Sequence, residues 1–118
     1  MNNELIKRNL ETMLLNSKGL KKGTLEIILS LIEDYEDYRT LFDDIMYQGC
    51  ISGIIPHLIY YRDTKKFFDK YSDEILELYN DLLKKELGEI IIEWNKNNLA
   101  WFGFEVTAKN IAVELEIF

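Results

Sequence analysis

The stretch Asn98-Leu99-Ala100-Trp101-Phe102-Gly103-Phe104-Glu105-Val106-Thr107-Ala108 decides how the rest of the chain is read. Trp101, Phe104, Ala108, Ile111 and Leu115 recur at spacings of three, four, three and four residues, the period of one face of a helix. Phe102, Val106 and Val113 border that stripe. A stripe this apolar has to be buried, against the rest of the domain or against a partner. Taken alone, Trp101, Phe102 and Phe104 read as a binding box. Continued to Ile111 and Leu115, they read as residues that pack a core. Gly103 lies inside the same helix, where glycine costs roughly 1 kcal/mol relative to alanine. That cost predicts a close approach by 51–53 or by another helix. Glu105 faces away from the centre of the stripe, as a surface charge or as the partner of a base such as Arg62.

Upstream of this helix, Asn95-Lys96-Asn97-Asn98 is a polar connector, and 89–94 reads as a strand by its β-branched content or as a short helix by its context. Before it, Ser72 is placed to cap a helix with Asp73 and Glu74 in its first turn, the stripe Ile75, Leu76, Tyr79, Leu82 and Leu83, and Gly88 as its end. Asp63 or Thr64 caps a short helix anchored by Phe67 and Phe68. The segment 54–61 is apolar and contains His57, with Pro56 tolerable in a first helical turn. Gly49 and Gly53 bracket a turn.

Nearer the N-terminus, Ile6, Leu10, Met13 and Leu14 predict a helix over 3–16, capped by Asn2 or Asn3 and closed near Lys18 and Gly19. Thr24 is the expected cap of the next helix, with Glu26 near its positive end and Leu25, Ile27, Ile28, Leu29, Leu31 and Ile32 apolar nearly all round. A buried strand is the alternative reading of that run. In the segment 33–46, the residues Tyr38, Leu41, Phe42, Ile45 and Met46 keep helical spacing and turn the intervening carboxylates outward. Together these readings predict an all-α fold, one domain over 1–118, with about five to seven helices, several of them short.

Composition is consistent with that fold. The chain has 118 residues, 47% of them apolar, enough for one core without staples. Its single cysteine, Cys50, forms no internal disulfide, and Met1-Asn2-Asn3-Glu4 lacks a basic leader before an apolar core, so a cytoplasmic location is expected. No apolar run approaches the roughly 20 residues of a membrane span. The net charge of −7 argues against direct nucleic-acid binding, which needs Lys and Arg for phosphates. The charge is uneven: +3 over 1–22, −6 over 23–61, −1 over 62–86 and −3 over 87–118.

Catalytic and metal-binding patterns are not apparent. Cys50 and His57 are the lone residues of their kinds, and no third partner or oxyanion donor is suggested for a nucleophilic pair. Repeated zinc-ligand spacing, an EF-hand loop and a P-loop are all missing, so no metal and no cofactor is expected. Asp43 and Asp44 are adjacent, hence about 100° apart on a helix, and do not chelate together. Tyr60, Tyr61, Phe67, Phe68 and Tyr71 beside Lys65, Lys66 and Lys70 resemble a base-stacking surface, but helical spacing makes them core residues first.

The acidic segment is the candidate partner-binding site: Glu33, Asp34, Tyr35, Glu36, Asp37, Tyr38, Asp43 and Asp44. Either it is a solvated helix face, or its carboxylates occupy a basic nucleic-acid groove on another protein, an attraction that weakens with salt. Tyrosines among the acids favour an interface, because they combine area with a polar tip.

Two blocks carry a resemblance. Gly49-Cys50-Ile51-Ser52-Gly53 followed by Leu58-Ile59-Tyr60-Tyr61-Arg62-Asp63-Thr64 and Phe67, and then the block 98–108, resemble an uncharacterised family of short proteins encoded mainly by bacteriophages, prophages and plasmids. The resemblance covers about residues 45–112, and family members often carry a longer polar insert between the blocks. It implies no catalytic residues. It implies the context of a mobile-element accessory protein in a bacterial host. On that analogy the expected function is non-enzymatic: protein–protein binding, inhibiting a host antiviral nuclease of the CRISPR or restriction type through the acidic surface. A structural or regulatory phage protein that self-associates as a homodimer and a small ligand-binding protein are the alternatives.

Overall fold

The 98–108 block forms the first turns of the helix against which most of the others pack. In the computed structural model, which describes residues 2–48, 54–82 and 96–117, this is α5 (Lys96–Glu114). Preceding it are α1 (Asn3–Asn16), α2 (Gly19–Leu31), α3 (Tyr38–Asp43) and α4 (Ile54–Leu82). A 3₁₀ turn at Ile32–Asp34 leads into α3, and a π-helical turn at Asp44–Gln48 follows it. Among the described residues there are five α-helices and no strand, so the all-α expectation holds. The expected elements at 49–53 and 83–95, with Cys50, Gly88 and the 89–94 question, lie outside the described residues.

The expected stripe of α5 is buried: Trp101, Phe104, Ala108 and Ile111 face the core, with Leu115 partly covered. Burial extends further round the helix than the stripe, to Ala100, Phe102, Thr107 and Ala112, because α5 touches α2, α3, α4 and the π-turn. Val113, read as bordering the stripe, is exposed. The most extensive packing is against α4. There Phe67 meets Phe104 edge-on with ring centroids 6.1 Å apart, and Tyr79 meets Phe102 at 5.8 Å. Edge-to-face pairs of this kind add to the area that the rings bury.

At Gly103, α5 lies tightly against a side chain of α4. A Cβ built there would lie 2.6 Å from Cγ1 of Ile75, a side chain that is itself fully buried. The close neighbour is therefore another helix, as one of the two sequence readings expected. Glycine is tolerated because it leaves room for the Ile75 side chain.

Asp63 and Thr64 do not cap a new helix, because the helix runs through them and Thr64 is buried inside it. The break expected at Ser72 is present: Tyr71 has non-helical φ −119° and ψ 18°, so α4 consists of two helical segments that meet at a kink, the second beginning at Ser72. Phe67, Phe68, Tyr71 and Ile75 are all buried, so the segments on both sides of the kink pack on the same core. Leu76, placed on the buried stripe by its spacing, is exposed.

At the N-terminus, α1 has the bounds its sequence predicts, and the Asn2 side chain accepts from Glu4 N at 2.9 Å. Ile6 and Leu10 are buried, with Met13 and Leu14 packed at the edge of the core. The start of α2 is a correction. It begins at Gly19, so Thr24 is an interior residue, fully buried, whose hydroxyl has no hydrogen-bond partner among the described residues. Glu26 accordingly sits away from the positive end of the helix. Gly19 reverses the chain with φ +60°, a conformation in which glycine carries no Cβ penalty. The cap comes from elsewhere in the chain: Leu20 N donates to Oε2 of Glu74 on α4 at 2.9 Å. Glu74→Ala is therefore expected to lower stability by about 1 kcal/mol, the usual worth of a helix cap. Glu74→Gln, which keeps an acceptor, should restore most of it. Urea midpoints of the two variants test this.

Candidate functional site

The acidic segment spans the 3₁₀ turn, the bend after it, α3 and the beginning of the π-turn. Glu33, Asp34 and Glu36 are exposed; Tyr35, Asp37, Asp43 and Asp44 are half-buried. Tyr38 is a correction to the candidate surface. It is 1% exposed and belongs to the core with Leu41, Phe42 and Ile45, as its place on the apolar stripe requires. Its hydroxyl has no hydrogen-bond partner among the described residues, an omission that costs roughly 1–3 kcal/mol in a buried site. Burial, and then the charges of Glu11 and Glu4, push the Tyr38 phenol above its ordinary pKa. The surface therefore consists of seven of the eight residues, and Tyr38 anchors it from below.

Three sets of hydrogen bonds fix this ridge. The Asn3 side chain reaches across from α1, donating through Nδ2 to Glu36 O at 3.1 Å and accepting from Tyr38 N through Oδ1 at 3.4 Å. The Tyr35 hydroxyl donates to Oδ2 of Asp44 at 2.8 Å, tying the bend to the π-turn. Burial, that hydrogen bond and the charges of Asp44 and Asp34 together raise the Tyr35 pKa, so the phenol stays protonated and able to donate. Asp37 caps α3, accepting from Thr40 N at 2.7 Å. Asn3 is the residue of this candidate site that sequence reading missed. It reads as a helix cap, and its partners lie 33 and 35 residues away, so nothing local signals the bridge.

Hydrogen bonds from Thr40 hold the Asp37 carboxyl below its ordinary pKa. The folded state therefore favours the carboxylate. The resulting stabilisation is complete above the unfolded value, near 3.9, and is lost as pH falls through the lower folded value. Asp37→Asn keeps the capping oxygen and removes the titration. Its urea midpoint should fall less than that of the unmodified protein between about pH 7 and about pH 3.

The ridge is a surface of acceptors and negative charge. Among the described residues, no group of three or more His, Cys, Asp or Glu side chains is arranged to hold a metal ion. Asp43 and Asp44 fall on either side of the junction between α3 and the π-turn, and only Asp44 bonds to Tyr35. The Cys50 side of a nucleophilic pair lies outside the described residues, as does the His57 side chain. Of the aromatics in the base-stacking reading, Phe67, Phe68 and Tyr71 are buried, and the Tyr60 and Tyr61 side chains lie outside the described residues. No described helix is long and apolar enough to cross a membrane.

Searches of curated proteins and of solved structures return no match to the chain. A protein family described as a domain of unknown function, DUF7222, matches residues 3–117. The match takes in all five helices and the acidic ridge, and on it the chain belongs to the DUF7222 family.

Proposed function

We propose that this chain is an accessory protein of a phage, prophage or plasmid that works in the bacterial cytoplasm by binding. Its acidic ridge occupies a basic surface on a host protein, in its sharpest form the nucleic-acid groove of an antiviral nuclease of the CRISPR or restriction type. The observation that carries this reading is the ridge itself: exposed carboxylates at Glu33, Asp34 and Glu36 on a turn pinned by Asn3 and by the Tyr35–Asp44 hydrogen bond. A pre-ordered array of acceptors loses little conformational entropy on binding, and its charge speeds encounter with a basic partner. The half-buried Tyr35 supplies aromatic area at the centre of the array. Self-association through the 60–71 aromatics has less to recommend it, since Phe67, Phe68 and Tyr71 are committed to the core.

Affinity capture from a bacterial host lysate tests the proposal. A basic, nucleic-acid-handling protein should be retained at low salt and released as salt rises. Retention of no such protein, or retention indifferent to salt, would count against it.

A further inference from the structure

Helix α1 is a self-contained element. Of its 14 residues only Ile6 and Leu10 are buried, while Leu5 and Leu15 stand in solvent. Both of its ends are closed by adjacent residues. Asn2 accepts from Glu4 N at the start, and Ser17 donates through its N–H to Leu14 O and through Oγ to Met13 O at the end. A helix capped in this way can leave its neighbours without stripping partners from its own termini. Beyond the caps, and among the described residues, α1 makes two hydrogen bonds to the rest of the chain. Both come from the Asn3 side chain, to Glu36 O and from Tyr38 N.

The joint after α1 is short, and its far side is fixed. Ser17 and Lys18 are extended, Gly19 turns the chain at φ +60°, and Leu20 N is then held by Glu74 of α4. Helix α2 packs against α4 and α5 as well as α1, so it keeps two helical neighbours when α1 leaves. Beneath α1 lies Tyr38. Its N–H bonds to Asn3, and the charges of Glu4 and Glu11, both on α1, act on its phenol. The hydroxyl is buried there with no partner among the described residues. Docking α1 therefore gains the burial of Ile6 and Leu10 and gives up the hydration of one hydroxyl, and the two effects oppose each other.

We propose that α1 is a hinged cover: it swings off the core as a unit about residues 17–19 while α2, α4 and α5 stay folded, uncovering Tyr38 and unpinning the bend of the ridge. Local openings of this kind draw on elements with few buried contacts, as α1 has. With α1 docked, Asn3 holds the bend at 35–37 in one shape. With α1 away, that pin is lost, so the position of α1 sets how far the ridge is ordered in advance. The device belongs to the frame of the ridge and holds whatever the ridge binds.

Amide hydrogen exchange of the full chain, read residue by residue by NMR as urea is raised, tests the proposal. The mid-helix amides of α1, Leu10 and Glu11 among them, should exchange as one group, at least about tenfold faster than Phe104 and Ala108 in α5. The Tyr38 amide should follow the α1 group. Ile75→Val, at the contact of α4 with α5, should speed the α5 amides about threefold or more and leave the α1 group unchanged, because that contact survives the opening. Tyr38→Phe removes the hydroxyl and should slow the α1 group about fivefold or more, and Asn3→Ala should speed it by a similar factor. The proposal is overturned if α1 exchanges at the α5 rate, or if Ile75→Val speeds both groups alike. It is likewise overturned if protection in α1 only falls away towards its ends, as fraying gives, or if Tyr38→Phe does not slow the group.

Discussion

Gly103→Ala is expected to destabilise the domain by up to about 2 kcal/mol, even though alanine is the better helix former. The helix gains about 1 kcal/mol from the exchange. Against this, the new methyl would lie 2.6 Å from Cγ1 and 3.2 Å from Cδ1 of Ile75, which is fully buried and has little room to retreat. Overpacking of this kind costs about 1–3 kcal/mol. Ile75→Ala alone should cost about 2–5 kcal/mol through the cavity it leaves. The double variant should lose clearly less than the two singles together, by on the order of 1 kcal/mol, because each change makes room for the other. Urea unfolding of the three variants measures this. Strict additivity, or a raised midpoint for Gly103→Ala, would mean that α4 and α5 are not in contact at this point.

Neutralising the ridge is the second large effect. Glu33→Gln, Asp34→Asn, Glu36→Gln and Asp37→Asn together remove four negative charges from a chain whose net charge is −7. Glu33, Asp34 and Glu36 are exposed, and asparagine keeps the α3 cap at position 37, so the fold should stand. Capture of a basic partner should fall by about tenfold or more. Each close charge pair across an interface carries on the order of 1.5 kcal/mol or more, and loss of even one accounts for a factor of ten. The remaining binding should also respond less to salt, because fewer screened charges contribute. Unchanged capture by a well-folded variant would remove the ridge from the interface.

What could be read from the sequence follows the range of the interactions involved. The bounds of α1 were legible because its determinants are local: the Asn2 cap, and Ile6 and Leu10 four residues apart on one face. The buried stripe of α5 was legible for the same reason. The start of α2 was not, because its cap is Glu74, 54 residues away, and Thr24 offered a plausible local substitute. Ser72 signalled a break that is present, because its determinants are local: the Tyr71 kink divides α4 into two helical segments there, with Phe68 and Ile75 buried on either side. At the candidate site the charges were legible and the frame was not. Tyr38 lay on both an apolar stripe and an acidic run, and burial decided for the stripe. The bridge from Asn3 to Glu36 and Tyr38 depends on how α1 packs beside the ridge, which composition and spacing do not encode.

The claim at the centre of the proposed function is that the ridge takes the place of nucleic acid on its partner. The most direct measurement is competition. The captured partner is loaded with its fluorescently labelled nucleic acid, and the protein is titrated in at fixed salt. Mutually exclusive binding is expected, with the label displaced at stoichiometric protein and the displacement lost for the four-residue ridge variant. A stable complex of all three components, with the affinity for nucleic acid unchanged, would contradict it.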